Sequence, residues 1–245
     1  MIIIVLGMHR SGTSTVAGVL HMNKIVMGTY ENFWPRPLRQ NPKGFYENYE
    51  FRKINDLILK NSGYDTKSYT INLPKIRLTP KLIDKTRKIL ETYFKKYGNW
   101  GWKDPRTCLT IDHWVNNINY LGMESQIKIV VVIRKASSVA RSLYKRNELP
   151  INNGLEIWGL YTERVLSFCN TSKLPIHYCS FESLLEYPEE TCKNLFHFLN
   201  IDYDPSIISK FIEKEISTSS KGSKIKYPSR IEEIENEIYS KIIKE

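Results

Sequence analysis

Two nearly continuous apolar runs rich in β-branched residues dominate the pattern along the chain: Ile2-Ile3-Ile4-Val5-Leu6 and Ile127-Lys128-Ile129-Val130-Val131-Val132-Ile133. Runs without polar alternation suit strands covered on both faces of a parallel sheet. Ile176 to Ser180 reads as a further strand, and Asn99 to Lys103 as a short one ending at Asp104-Pro105. Between these runs the apolar positions change to helical spacing. Ser14 to Met22 sets Val16, Val19 and Leu20 on one face. Tyr49 to Lys60 does the same with Phe51, Ile54, Leu57 and Ile58, and Lys81 to Tyr97 with Leu82, Ile83, Ile89, Leu90, Tyr93, Phe94 and Tyr97. Helices are also expected over about 137–146, 155–168 and 188–199. Another is expected over 229–244, where Ile231, Ile234, Ile238 and Ile242 share one side. Residues 28–48, rich in Pro, Asn, Gly and aromatic residues, read as an irregular excursion. Strands alternating with helices predict one α/β domain over 1–245, with three α/β/α layers around a central, mainly parallel sheet.

Composition narrows the classes of function without choosing one. The 245 residues are enough for a single core of ordinary size. The formal net charge of +10 suits a polyanionic or phosphorylated ligand. The lysines are spread along the chain, however, and no basic arm of the kind that grips nucleic acid is present, so no nucleic-acid partner is expected. Cys108, Cys169, Cys179 and Cys192 form no CxxC pair and read as reduced core thiols, and no metal is expected. The N-terminal apolar run is too short for a signal peptide and no segment has the length of a membrane span, which makes a cytoplasmic location the expectation.

The chemistry starts at Gly7-Met8-His9-Arg10-Ser11-Gly12-Thr13-Ser14, between the first strand and the first helix. A helix N-terminus offers free N–H groups and a positive dipole end, both suited to phosphate. Gly12 lets the backbone come close to a ligand, Ser11, Thr13 and Ser14 add hydroxyls, and Arg10 adds a forked cation. Gly7 and Gly12 have the spacing of the nucleoside-triphosphate P-loop, which points to a P-loop-like fold. Thr13 stands where that motif has its lysine, so the cation that reaches the outer phosphates is missing.

Arg10-Ser11-Gly12-Thr13-Ser14 after a hydrophobic strand resembles the 5′-phosphosulfate loop of sulfotransferases that use 3′-phosphoadenosine 5′-phosphosulfate (PAPS). A second match is the strand ending at Ile133, then Arg134, with Ser142 eight residues later; the resemblance implies that these two hold the 3′-phosphate. Ser220-Lys221-Gly222 is similar to the family's late Lys-Gly, which implies 3′-phosphate contacts from Lys221 and Gly222. Phe181-Glu182-Ser183-Leu184 is similar to its Tyr-Glu-Asp-Leu segment. Trp102-Lys103-Asp104-Pro105-Arg106 resembles tyrosylprotein sulfotransferases and many bacterial sulfotransferases, which implies that Lys103 lies near the transferred group. The chain departs from the cytosolic enzymes in having Thr15 where they place an adenine-stacking tryptophan, and Lys135-Ala136 after Arg134.

The resemblance implies PAPS as donor and adenosine 3′,5′-bisphosphate as product. His9, Arg10, Ser11, Gly12, Thr13, Ser14, Arg134, Ser142, Lys221 and Gly222 would contact the donor, and Arg10 and Lys103 would act on the leaving group. Glu47 is the first choice as base for the acceptor's proton. It lies in the aromatic segment Gly44-Phe45-Tyr46-Glu47, where apolar surroundings can raise a carboxyl pKa. Glu31, Asp104 and His113 are the alternatives. Aromatic residues of 28–75 and of the helix near 155–170 are expected on the acceptor side: Tyr30, Phe33, Trp34, Phe45, Tyr46, Tyr49, Tyr64, Tyr69, Trp158 and Tyr161. They would suit a small-molecule or glycan acceptor, in a monomer or homodimer. A small-metabolite kinase and a non-catalytic polyanion-binding protein remain the competing readings.

Overall fold

The computed structural model describes residues 1–38, 41, 43–65, 69–212 and 225–242. Four strands, β1 (Ile2–Leu6), β2 (Trp100–Lys103), β3 (Ile127–Ile133) and β4 (Ile176–Ser180), form a sheet of order β2-β1-β3-β4 in which all pairings are parallel. Ten α-helices lie among the described residues. The first five are α1 (Thr13–Met22), α2 (Tyr49–Asn61), α3 (Pro80–Lys96), α4 (Thr107–Tyr120) and α5 (Ala136–Asn147). The others are α6 (Ile151–Thr171), α7 (Phe181–Glu186), α8 (Pro188–Leu199), α9 (Pro205–Phe211) and α10 (Ser229–Ser240).

Alternate residues of each central strand feed opposite cores. Ile2, Ile4, Leu6, Ile129, Val131 and Ile133 pack with α2 to α6 and α10. Ile3, Val5, Val130 and Val132 pack with α1 and α7 to α9. Every residue of β1 is buried, and each such aliphatic side chain stabilises by about 1.5–3 kcal/mol, enough to fix β1 and β3 as the centre of the sheet. The result is the expected three-layer α/β/α architecture. At the β2 edge, Phe51 stacks on Trp102 with ring centres 4.6 Å apart, and Trp114 and Tyr93 close the same aromatic cluster.

From β1 the chain crosses to β2 on one side and returns to β3 on the other. The carboxyl end of β1 is therefore a topological switch point, where open α/β sheets hold their ligands. The loop Gly7 to Gly12 leaves the sheet there.

Three helices were not expected from the pattern. α4 exposes a narrow stripe, Asp112, Asn116, Asn119 and Tyr120, and buries the polar Thr107, Thr110, His113 and Asn117, which blurs its pattern. α7 and α9 are 6 and 7 residues long. α6 also begins four residues before the expected Leu155, with Gly154 at the point of closest approach to α5: a Cβ there would lie 3.0 Å from Ala140 Cα. The last helix ends at Ser240 rather than 244.

Candidate active site

A cleft of about 310 Å³ opens at this switch point. Its walls come from the β1–α1 loop, the segment before α2, the end of β2, and the residues after β3 and β4. Arg10, Arg52, Lys103, Arg106, Arg134 and Arg146 line it, and Glu47 is the carboxylate among its described lining residues. Such an excess of guanidinium and ammonium groups is the chemistry of a polyanion site.

The loop's geometry is specific. Arg10 has φ 70°, a left-handed conformation rarely taken by a residue with a side chain. Gly12 has φ 86° and occupies the N-cap of α1, with no side chain capping the helix and no acidic residue in its first turn. The first-turn N–H groups therefore keep the anion-binding character of an open helix start. Gly12 lines the cleft, and its lack of a side chain also admits Phe181, because a Cβ would fall 2.0 Å from Phe181 Cδ2. Gly7 N–H donates to Cys108 Sγ at 3.2 Å, which ties the start of the loop to α4.

The two segments expected to hold separate phosphates meet directly. Arg10 Nε donates to Ser142 Oγ at 2.8 Å, and Arg134 Nη1 donates to the Arg10 carbonyl, also at 2.8 Å. Ser142 and Arg134 are 5% and 6% exposed. The Arg134 guanidinium lies 4.7 Å above the centre of the Phe181 ring. Burial, reinforced by Arg10, pushes Arg134 down to about 10 against the opposing pull of Glu182; burial and Arg146 also lower Arg10. Like charges this close favour an anionic ligand between them.

Lys103 ends β2 with 1% of its surface exposed. Its Nζ donates to Glu47 Oε1 at 2.9 Å and to Ser14 Oγ at 3.2 Å, joining the helix start to the carboxylate. Glu47 is 7% exposed, and its other oxygen faces Arg106 Nη1 at 3.9 Å and Arg52 Nη1 at 4.0 Å. The carboxylate thus meets cations rather than the aromatic rings expected around it. It precedes α2 by two residues: Asn48 is the N-cap and accepts from the Glu50 N–H. The Trp34 N–H to Glu47 O bond at 2.9 Å fixes the backbone there, and Tyr46 beside it is left-handed at φ 52°.

The alternative bases are placed elsewhere or already committed. Asp104 is fully buried. Burial alone would raise its carboxyl, but Arg106 and hydrogen bonds from Asn55 and the Arg106 amide outweigh it and hold it below the usual value. In this way Asp104 aims Arg106, whose Nη1 it accepts at 2.8 Å, while Arg106 Nε pairs with Asp56 at 2.8 Å. His113 lies on α4 outside the cleft, bonded to Thr86 Oγ1 at 2.8 Å, and burial with Arg87 pushes it down to about 4. Glu31 is exposed and outside the cleft lining. His9 lines the cleft, edge-on to Tyr69 and Tyr161, and burial with Arg106 pushes it down to about 3.

Thr13 and Ser14 reach the cleft, whereas Ser11 is buried beneath the loop. Lys221 and Gly222 fall outside the described residues. Of the aromatic residues expected on the acceptor side, Phe45 and Tyr69 line the cleft. Trp158 and Tyr161 are core residues, Phe33 and Tyr46 pack on His21, and Tyr30 and Trp34 face solvent. Arg106 stood in the sequence motif without a role, and Arg52 and Arg146 were not singled out from the sequence. Arg146 did have a signal, since it lies one helical turn beyond Ser142 and so shares its face.

No family model matches the chain, and no curated protein matches it. Solved structures do share its fold. The sulfotransferase domain from the curacin biosynthetic pathway superposes with a TM-score of 0.58 at 14% identity, covering 97% of this chain and 96% of that one. The sulfotransferase domain from the Synechococcus PCC 7002 olefin synthase gives a TM-score of 0.63 at 14% identity, covering 97% and 94%. At this identity the likeness is one of fold.

Proposed function

We propose that this chain, as one domain over 1–245, is a sulfotransferase. It moves a sulfuryl group from PAPS to a hydroxyl of a small-molecule or glycan acceptor. The observation that carries this reading is the direct bonding of Arg10 to Ser142 and of Arg134 to the Arg10 carbonyl. Two candidate anion-binding segments 124 or more residues apart in sequence thereby line one cation-rich cleft. The fold shared with sulfotransferase domains supports it further.

The donor supplies an activated sulfuryl group, and the chain's residues position it and neutralise charge. The first-turn amides of α1, Thr13, Ser14 and Arg10 hold the 5′ end, while Arg134 and Ser142, with Lys221 and Gly222, hold the 3′-phosphate. Lys103, between Ser14 and Glu47, stabilises the charge that grows on the leaving 5′-phosphate. Glu47 takes the proton of the acceptor hydroxyl as its oxygen bonds to sulfur and the sulfur–oxygen bond to the phosphate breaks. The electron pair leaves with adenosine 3′,5′-bisphosphate. No metal enters this scheme. We further infer a cytoplasmic location, supported by four buried cysteine thiols; no described helix is long and apolar enough to cross a membrane.

A panel of hydroxyl acceptors incubated with isotope-labelled PAPS and read by mass spectrometry tests the activity. Label is expected in an acceptor and bisphosphate in equal amount. Bisphosphate release with no labelled product on any acceptor would contradict the transfer.

A further inference from the structure

The cations of the cleft are not equally committed. Lys103 pairs with Glu47, and Arg106 with Asp104 and Asp56. Arg52 lies between Asp56 at 3.8 Å and Glu47 at 4.0 Å. Arg146 is exposed at the end of α5 and lines the cleft, and among the described residues no carboxylate lies within ion-pair distance of it. A basic residue in the last turn of a helix is favoured by the macrodipole, which would explain Arg146 pointing anywhere on that end. It points at the cleft wall formed by Phe45, with its guanidinium carbon 5.9 Å from that ring. Phe45 lies two residues before Glu47 on the same segment. Phe45 thus puts Arg146 beside the segment that carries the carboxylate, and its neighbour Asn147 also lines the cleft.

We propose that the acceptor carries an anionic group, carboxylate or phosphate, in addition to the hydroxyl it presents to Glu47, and that Arg146 grips this group with help from Asn147. The inference rests on the sulfotransferase reading for the role of Glu47. A forked guanidinium matches the paired oxygens of either anion, which a lysine at this position would not do. An anion there also relieves the repulsion between Arg146 and Arg10, whose ionisation Arg146 disfavours after burial has done so.

Calorimetric titration of the full chain tests this with two matched pairs: para-hydroxyphenylacetate against its methyl ester, and glucose 6-phosphate against glucose. Each is titrated with and without saturating adenosine 3′,5′-bisphosphate. In at least one pair the acidic member is expected to bind about tenfold or more tightly, as for a charge-assisted hydrogen-bonded contact. The pair that shows the preference separates carboxylate from phosphate. Arg146→Gln is expected to erase the preference while shifting bisphosphate affinity by no more than about threefold, the size of a screened long-range effect. Equal binding of acidic and neutral members in both pairs, whether all bind or none does, overturns the proposal. So does a preference that survives Arg146→Gln. Loss of bisphosphate affinity as large as the loss of acid affinity would move Arg146 to the donor side and also overturn it. If bisphosphate itself gives no heat, the donor reading fails separately, and the ratio within each pair is still read on the protein alone.

Discussion

Lys103 and Glu47 form an ion pair at 2.9 Å with little of either side chain exposed, and each is the other's nearest counter-charge. Lys103→Ala removes the hydrogen-bonded partner of Glu47 and leaves it Arg106 and Arg52 at 3.9 and 4.0 Å, so it is expected to cost about 1.5–3 kcal/mol of stability, seen as a lower urea midpoint. Glu47→Gln keeps an oxygen for Lys103 and removes the proton acceptor. It is expected to fold, to bind bisphosphate, and to lower kcat by about 10²–10⁴ in PAPS turnover. A Glu47→Gln enzyme with full kcat would exclude Glu47 as the base. Arg134→Ala is expected to weaken adenosine 3′,5′-bisphosphate by at least about tenfold while changing adenosine 5′-phosphate far less, since one charged hydrogen bond is at stake. Equal weakening in calorimetry would remove Arg134 from the 3′ position. Arg10, Ser142, Lys103 and Glu47 stood out in the sequence because each belongs to a short motif beside a strong strand or a glycine-aromatic segment. Arg52 and Arg146 did not, because a single arginine on an amphipathic helix looks like any solvated residue until the fold shows what it faces.

The β1–α1 unit owes its shape to a packing constraint as much as to its ligand. Gly12→Ala would need a left-handed φ and would force its Cβ against Phe181, the ring on which Arg134 lies. The left-handed conformation and overpacking each cost about 1–3 kcal/mol. The expected result is a lower denaturation midpoint together with weaker bisphosphate binding, since the Phe181–Arg134 contact must shift; a variant with wild-type stability and affinity would contradict it. At this scale most of the fold was legible. β1 and β3 are buried on both faces and so read as pure apolar runs, while α2 and α3 are half solvated and so show clear stripes. α4 was hidden by the opposite condition. The polar Thr107, Thr110, His113 and Asn117 are buried beside Cys108, Leu109, Ile111, Trp114, Val115 and Ile118, so the narrow exposed stripe of Asp112, Asn116, Asn119 and Tyr120 stands in weak contrast. The buried polar groups of α4 are satisfied inside the protein, as where Thr110 and Trp114 both donate to Asn55 Oδ1.

His113, buried, and His9, half-buried in the cleft wall, give the whole molecule a predictable response to acid. Burial and Arg87 push His113 down to about 4, and burial and Arg106 push His9 down to about 3, against an ordinary value of 6.5. Between 6.5 and about 4 the unfolded chain binds more protons than the folded one. The stability tied to these groups is therefore complete above pH 6.5 and lost as the pH falls through that window, by up to about 1.4 kcal/mol per pH unit for each group. His113→Gln is expected to flatten the dependence of the urea midpoint on pH by about one proton there, and an unchanged slope would contradict the assignment. The net charge of +10 was visible from composition, but its concentration around one cleft was not, because Arg10, Arg52, Lys103, Arg106, Arg134 and Arg146 come from five separate stretches of chain. Whether that cleft is built for two phosphate positions is tested most directly by calorimetry of the wild-type chain with adenosine 3′,5′-bisphosphate and with ATP under the same salt. Saturable binding of the bisphosphate, clearly tighter than that of ATP, is the expected result. ATP binding as tight as or tighter than the bisphosphate, or no bisphosphate binding at all, would contradict it.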